Sequence, residues 1–147
     1  MTPTIVSTPA HPFRTTALIL RSALLAGGAS ALINMSLYGL FQETFSTLLV
    51  GQPGQETPFW PGAIVLFSLI GALGAGLVFA VMRRFLHRPE RAFGWVAGLV
   101  LLASFAMLLG VRDGSWDVVL LLALMHVVVC LCVLRLVPGR GERHNTG

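Results

Sequence analysis

Four long apolar runs constrain what this 147-residue chain can fold into. They cover residues 22–41, 61–82, 92–111 and 117–137. About 20 apolar residues in an α-helix, with a rise of ~1.5 Å each, cross the ~30 Å hydrocarbon core of a bilayer. None of the runs alternates apolar and polar residues with period two, which is the pattern of transmembrane β-strands. The runs therefore predict four transmembrane helices.

We predict an all-α fold: an integral membrane four-helix bundle forming one domain over residues 1–147. The helices are expected at about residues 15–41, 61–84, 92–111 and 117–137. The tails, residues 1–13 and 138–147, are expected to be disordered, because the first contains three prolines and the second is polar and rich in glycine.

The composition supports a membrane location and argues against other classes of protein. The chain is 55% hydrophobic and only 11% charged, whereas a soluble domain carries about 25% charged residues. A soluble globular domain, a disordered chain and a nucleic-acid-binding domain are all poor fits. The expected partner is the lipid bilayer, with no nucleic acid.

The arginines predict the orientation of the helices. All ten basic residues are arginines, and they cluster near the ends of the apolar runs. With the N-terminus inside, nine lie on the cytoplasmic side and only Arg112 lies outside, a strong positive-inside bias. We therefore expect a multi-pass protein of a bacterial plasma membrane with both termini cytoplasmic. The predicted topology anchors are Arg21, Arg83, Arg84, Arg88, Arg91 and Arg135.

Small residues at four-residue spacing predict where the helices approach each other, because lipid offers no hydrophobic drive for helix association. The first three predicted helices carry such residues, whereas the fourth is rich in Leu and Val. We expect helices one to three to pack closely and helix four to be looser or more exposed to lipid. The same faces could serve a homo-oligomer. The predicted packing residues are Gly27, Ala31, Gly71, Ala72, Ala75, Gly76, Ala80, Gly94 and Gly98.

One polar side chain per helix falls at a similar predicted depth: Asn34, Ser68, Ser104 and His126. Counted from the outer helix ends at ~1.5 Å per residue, they lie about 10–14 Å deep. Polar residues inside a bilayer are costly and often mark function. They also hydrogen-bond between helices, for about 0.6–2 kcal/mol each. The sequence leaves both interpretations of this layer open and favours the second.

Enzyme, metal and cofactor chemistry find little support in the sequence. The predicted spans contain no paired carboxylates for acid–base catalysis, and the chain has no His-Glu-x-x-His zinc motif. Met125 and His126 resemble haem ligands, but adjacent helical residues diverge by about 100° and cannot ligate one iron. We expect no catalytic residues, no metal and no cofactor. A haem shared between two copies remains open.

A combination of short motifs gives a resemblance to a known family. These motifs are Ala31-x-x-Asn34, a proline-opened second helix ending in Arg83-Arg84, Ser104, and Leu124-Met125-His126. From about Arg21 to Val137, the chain resembles a family of uncharacterised four-helix bacterial membrane proteins common in actinobacteria and their relatives. The resemblance implies only that Asn34 and the Met125-His126 pair belong to a recurrent pattern.

Three functions follow as hypotheses. The leading one is a non-enzymatic membrane protein that acts by packing, with itself or with a larger membrane partner. The alternatives are a pathway for a small solute or for protons, and a protein that binds a ligand or cofactor. Both alternatives would use the polar layer around Asn34 and His126.

Overall fold

The computed structural model describes residues 12–45, 49–50, 57–58, 60–109 and 116–138. Within them the chain forms four α-helices: α1 (Pro12–Phe45), α2 (Pro61–Phe85), α3 (Pro89–Leu109) and α4 (Trp116–Leu136). Between α1 and α2, two short strands, β1 (Leu49–Val50) and β2 (Thr57–Pro58), pair antiparallel, with Leu49 opposite Pro58. The fold is the predicted all-α four-helix bundle.

Prolines define where α2 and α3 begin. Pro61 follows Trp60, which has extended backbone angles (φ −79°, ψ 116°). Proline suits the first helical position because its fixed φ is helical and its missing N–H would have no helical partner. α2 ends at Leu86, which is extended and donates its N–H to Met82 O at 2.8 Å. Only residues 86–88 separate α2 from Pro89 of α3, so these two helices form an antiparallel hairpin.

All four helices are long and apolar enough to cross a membrane, by length and composition. α1 is longer than predicted: its 34 residues correspond to about 50 Å of helix. It begins at Pro12, inside the predicted N-terminal tail, and ends at Phe45. The rest of the predicted tails, residues 1–11 and 139–147, lies outside the described residues. The chain has the architecture of a multi-pass membrane protein.

Two clusters of buried side chains show that neighbouring helices run in opposite directions. The first, which we call the basic-end cluster, joins the start of α1 to the ends of α2 and α4 and the start of α3. The second, the distal cluster, joins the end of α1 to the starts of α2 and α4. The basic-end cluster is Ile19, Ala23, Ala26, Ala72, Phe79, Phe93, Val133 and Val137. The distal cluster is Tyr38, Ile64, Val118, Leu121 and Met125.

The predicted topology anchors all lie at the end of the bundle that holds the basic-end cluster. Each of these arginines is exposed, near the helix ends that meet there. Their long side chains are therefore free to reach lipid headgroups from that end. The anchors are Arg21, Arg83, Arg84, Arg88, Arg91 and Arg135.

The structure corrects the predicted packing order. α1 contacts α2 most extensively and α4 next, whereas α3 contacts mainly α4 and α2. The expectation that helix four is the loosest is therefore wrong. Large apolar residues of α4, including Leu121 and Met125, are buried in the bundle. Among the described side chains of α3, only Phe93 is buried. Small residues are not required where Leu, Met and Val fill the groove between two helices.

Candidate functional site

A cavity of about 600 Å³ lies between α2, α3 and α4. It exists because α3 stands away from the rest of the bundle over most of its length. At the basic end the gap is closed by Phe93, whose ring packs edge-to-face on Phe79 with centroids 5.0 Å apart. Small residues on the facing helices, such as Gly71, Gly74 and Ala97, line the cavity and leave its volume unfilled.

All four residues of the predicted polar layer lie on the wall of this one cavity. Ser68, Ser104 and His126 come from α2, α3 and α4, and Asn34 comes from α1. Residues far apart in sequence therefore line one cavity. The lining residues carry no Asp, Glu or Arg, so the wall is apolar except for this polar group.

Asn34 and Ser68 form the buried part of the polar group. Asn34 Nδ2 donates to Ser68 Oγ at 3.2 Å, across the α1–α2 contact. Asn34 is 1% exposed and Ser68 is 3% exposed. The other amide atom, Asn34 Oδ1, is buried without a hydrogen-bond partner among the described residues. An unsatisfied buried acceptor costs about 1–3 kcal/mol, so this atom has unused capacity to accept a hydrogen bond.

Ser104 and His126 form the accessible part, since both are partly exposed. Each donates to the carbonyl four residues earlier in its own helix. Ser104 Oγ donates to Val100 O at 2.8 Å, and His126 Nδ1 donates to Leu122 O at 2.7 Å. Because a carbonyl oxygen can only accept, the hydrogen of this contact is on Nδ1, and in the Nδ1–H tautomer of the ring Nε2 carries only a lone pair.

The polar group lies towards one end of an elongated cavity. α4 lines it from Leu122 to Val133, about 17 Å of helix. His126 is close to the distal end of that stretch, and about 10 Å of apolar wall follows it. On α2 the wall continues from Ser68 to Val78 for about 15 Å. The polar group is therefore flanked by a short apolar stretch on its distal side, which includes Ala63, Ile64 and Leu122, and by a longer one towards the basic end.

The predicted packing residues fall into three groups: those buried or packed between helices, those that line the cavity, and Gly94 and Gly98, which have no close neighbour among the described residues. Gly27 and Gly76 lie in close α1–α2 contacts: a Cβ on Gly76 would be 2.5 Å from Ala23 Cβ, and one on Gly27 would be 3.0 Å from Leu69 Cδ2. Ala31 and Ala72 are also buried, and Ala80 packs against the basic-end cluster. Gly71 and Ala75 line the cavity, although Ala75 also packs against that cluster.

Gly94 and Gly98 do not fulfil the packing prediction. A Cβ built on either would meet no neighbouring heavy atom within 4 Å in the described part of the chain. The reason is the position of α3 at the edge of the bundle. A small-residue motif permits close approach but does not specify a partner.

The structure also shows functional candidates that the sequence analysis missed. Gly74, Ala97 and Phe67 line the cavity beside the polar group. Only the abundance of small residues in the second and third runs hinted at unfilled space. Ser22 is a second missed feature: its buried Oγ has no hydrogen-bond partner within the described residues, but Ser22 is not part of the cavity wall.

Metal binding has no structural support in the described ranges. They contain no group of three or more His, Cys, Asp or Glu side chains that could hold an ion. Cys130 lines the cavity and Cys132 packs against the basic-end cluster, and both thiols are free.

Comparison with known families gives one match. The model of a family described as "Family of unknown function (DUF6069)" matches residues 14–143. The chain belongs to this family. The match agrees with the resemblance to an uncharacterised family drawn from the motifs above, and it covers α1 from residue 14 onwards and all of α2, α3 and α4. Comparisons with curated proteins and with solved structures give no significant match.

Proposed function

We propose that this DUF6069 protein binds a small, elongated, largely apolar molecule inside the membrane, in the cavity between α2, α3 and α4. The observation that carries the proposal is the convergence of Asn34, Ser68, Ser104 and His126 on one wall of an otherwise apolar cavity. Binding sites for small molecules are typically apolar clefts of ~300–1,000 Å³ with a few polar groups that orient the ligand.

Interhelical hydrogen bonding alone explains the polar group less well. Among the described hydrogen bonds of these four side chains, only the Asn34–Ser68 bond joins two helices, and it leaves Asn34 Oδ1 without a partner there. Ser104 and His126 donate within their own helices. In the described structure, neither contributes a side-chain hydrogen bond between helices, which is what the packing hypothesis requires of them.

A pair of glycine variants tests the proposal. Gly74 lines the cavity and Gly28 does not, yet a Cβ on either would meet nothing within 4 Å. A leucine therefore fits at both sites, but only Gly74→Leu fills part of the cavity. The probe is 1-heptyl-4-(trifluoromethyl)benzene, added to the protein in nanodiscs and observed by ¹⁹F NMR.

The wild-type protein and Gly28→Leu should show a protein-bound resonance distinct from the bilayer resonance. Gly74→Leu should lose it or weaken it by at least about tenfold, since the leucine occupies the same space as the probe. Absence of a bound resonance in the wild type, or equal binding to both variants, would contradict the proposal.

The membrane context of this function is inferred from charge. The exposed arginines at the basic end support an orientation with that end in the cytoplasm. With four spans, both termini then lie in the cytoplasm of a bacterial cell, and the membrane is the plasma membrane. In this orientation the polar group lies in the outer half of the bilayer. A homo-oligomer or a larger membrane partner remains a prediction.

A further inference from the structure

The hydrogen-bonding state of the cavity wall indicates which chemical class of molecule it holds. We propose that the bound molecule presents a neutral hydrogen-bond donor, an alcohol or phenol hydroxyl, at its polar end. This inference rests on the proposed binding function. It is based on which polar atoms of the cavity wall still have a hydrogen available to donate and which have only lone pairs that can accept one.

The accessible polar atoms of the wall are acceptors. The Ser104 hydroxyl hydrogen is committed to Val100 O, and the Nδ1 hydrogen of His126 is committed to Leu122 O. What remains on these two partly exposed side chains is the lone pairs of Ser104 Oγ and His126 Nε2.

The buried pair, Asn34 and Ser68, offers a ligand little by comparison, because its remaining acceptor and its remaining hydrogens are all buried. Asn34 Oδ1 has no partner in the described structure. The remaining hydrogens of Asn34 and Ser68 belong to side chains that are almost completely buried. A ligand entering the cavity therefore meets Ser104 and His126 first, and these offer it lone pairs.

This pattern excludes several other polar ends. A ketone, ether, ester, carboxylate or phosphate has only acceptor oxygens. Its lone pairs would lie next to those of Ser104 and His126 with no hydrogen between them. An ammonium group would be buried without a counter-charge, because no Asp or Glu lines the cavity. A neutral hydroxyl supplies the missing hydrogen and carries no charge.

The same argument distinguishes the proposed molecule from an ordinary phospholipid. The hydrocarbon of an acyl chain has no donor, and its ester carbonyls are acceptors only. The polar group is predicted to lie about 10–14 Å below the outer helix ends, so a headgroup at the membrane surface is not expected to reach it. The proposed occupant carries its hydroxyl inside the hydrocarbon layer.

Two competitors that differ in one methyl group test the inference. 4-Heptylphenol has a hydroxyl donor, and 4-heptylanisole is its methyl ether, which can only accept. Each is titrated against the bound ¹⁹F probe in nanodiscs, with affinities expressed per concentration dissolved in lipid. The phenol should displace the probe at a concentration at least about fivefold lower, the effect expected of one hydrogen bond.

Variants link this preference to the wall atoms. His126→Phe should reduce the preference for phenol over anisole to about one. Ser104→Ala should weaken it, whereas Ser36→Ala should not. Ser36 is the matched control, because its hydroxyl makes the same bond to the carbonyl four residues earlier, to Leu32 O at 3.0 Å, on an exposed face of α1 away from the cavity.

The ¹⁵N spectrum of His126 gives a direct readout that does not depend on competition. The phenol should shift the Nε2 resonance and the anisole should not, while Nδ1 stays bonded to Leu122 O. Equal displacement by phenol and anisole, or an Nε2 resonance unmoved by phenol, would overturn the donor inference while the bound ¹⁹F probe still supports the cavity. Failure of the probe itself to bind would overturn the proposed function, and the donor inference with it.

Discussion

Asn34 on α1 donates to Ser68 on α2 through a buried hydrogen bond of 3.2 Å, and the Asn34 carbonyl oxygen is left without a partner. The bond joins the two helices that contact each other most extensively, and both residues line the cavity to which α3 and α4 contribute Ser104 and His126. One amide therefore contributes both to helix packing and to the wall of the cavity.

The first prediction concerns the coupling between these two residues. Ser68→Ala removes the partner of the amide and leaves the whole Asn34 side chain unsatisfied. The double variant Asn34→Leu/Ser68→Ala removes both polar groups, which costs less than leaving one unpaired. In a double-mutant cycle, measured by reversible unfolding in SDS–bicelle mixtures, we expect a coupling free energy of about 0.6–1.7 kcal/mol.

The double variant should also be more stable than Ser68→Ala alone. Additive effects of the two substitutions, with no coupling free energy, would show that the Asn34–Ser68 bond does not stabilise the bundle.

The second prediction distinguishes two glycines that look equivalent in sequence. A Cβ at Gly76 would lie 2.5 Å from Ala23 Cβ, so Gly76→Ala forces α1 and α2 apart and should cost about 1–3 kcal/mol. Gly98→Ala is the matched control, because a Cβ there meets no neighbour within 4 Å. It should change the free energy of unfolding by less than about 0.5 kcal/mol. Equal destabilisation would indicate that α3 packs through Gly98 after all.

The third prediction concerns the contact that holds α3 to α2 at the basic end. Phe79 and Phe93 are each 2% exposed and pack edge-to-face with an interplanar angle of 61°. Phe93→Ala removes the only buried side chain described in α3, and should destabilise the bundle by about 3–5 kcal/mol. It should also widen the distribution of spin-label distances between α2 and α3 in double electron–electron resonance spectra.

Phe85→Ala is the control for that variant, because Phe85 lies on α2 near the same end but is 73% exposed. It should leave both the stability and the distance distribution close to those of the wild type. A narrow, unchanged distribution in Phe93→Ala would show that the aromatic pair does not position α3.

The fourth prediction tests the orientation. Single cysteines replace Arg88 or Glu43, two exposed residues at opposite ends of the bundle, in a chain whose Cys130 and Cys132 are changed to alanine. In intact spheroplasts, a membrane-impermeant maleimide should label the Glu43→Cys variant and not the Arg88→Cys variant. Labelling with the reverse preference would show that the basic end faces outwards.

Much of the fold could be predicted from the sequence because its causes are local. Backbone N–H and C=O groups cannot bond to water inside the bilayer, so an apolar run of sufficient length must form a helix. Pro61 then marks where α2 starts, whereas α3 starts at Pro89, three residues before the predicted start at residue 92. The boundaries of α1 were less predictable, since helix α1 extends into the polar flanks, which carry no apolar signal.

The candidate site could be predicted only in part. Asn34 and His126 were identifiable because polar side chains are rare in apolar runs. The cavity was not identifiable, because its volume depends on small residues of two helices, Gly71 and Gly74 of α2 and Ala97 of α3, lining the same space. The free lone pair of His126 Nε2 depends on the rotamer that bonds Nδ1 to Leu122 O. The sequence does not specify that rotamer.

The sequence by itself determined that four helices form, where α2 begins and which end is basic, since these follow from local hydrophobicity and charge. The tertiary structure alone decided that α1 packs mainly on α2 and α4, that α3 has the fewest contacts and that four polar side chains share one wall. Lipid surrounds every apolar helix face equally well, so helix positions follow from how side chains distant in sequence fit together, as Gly76 fits Ala23.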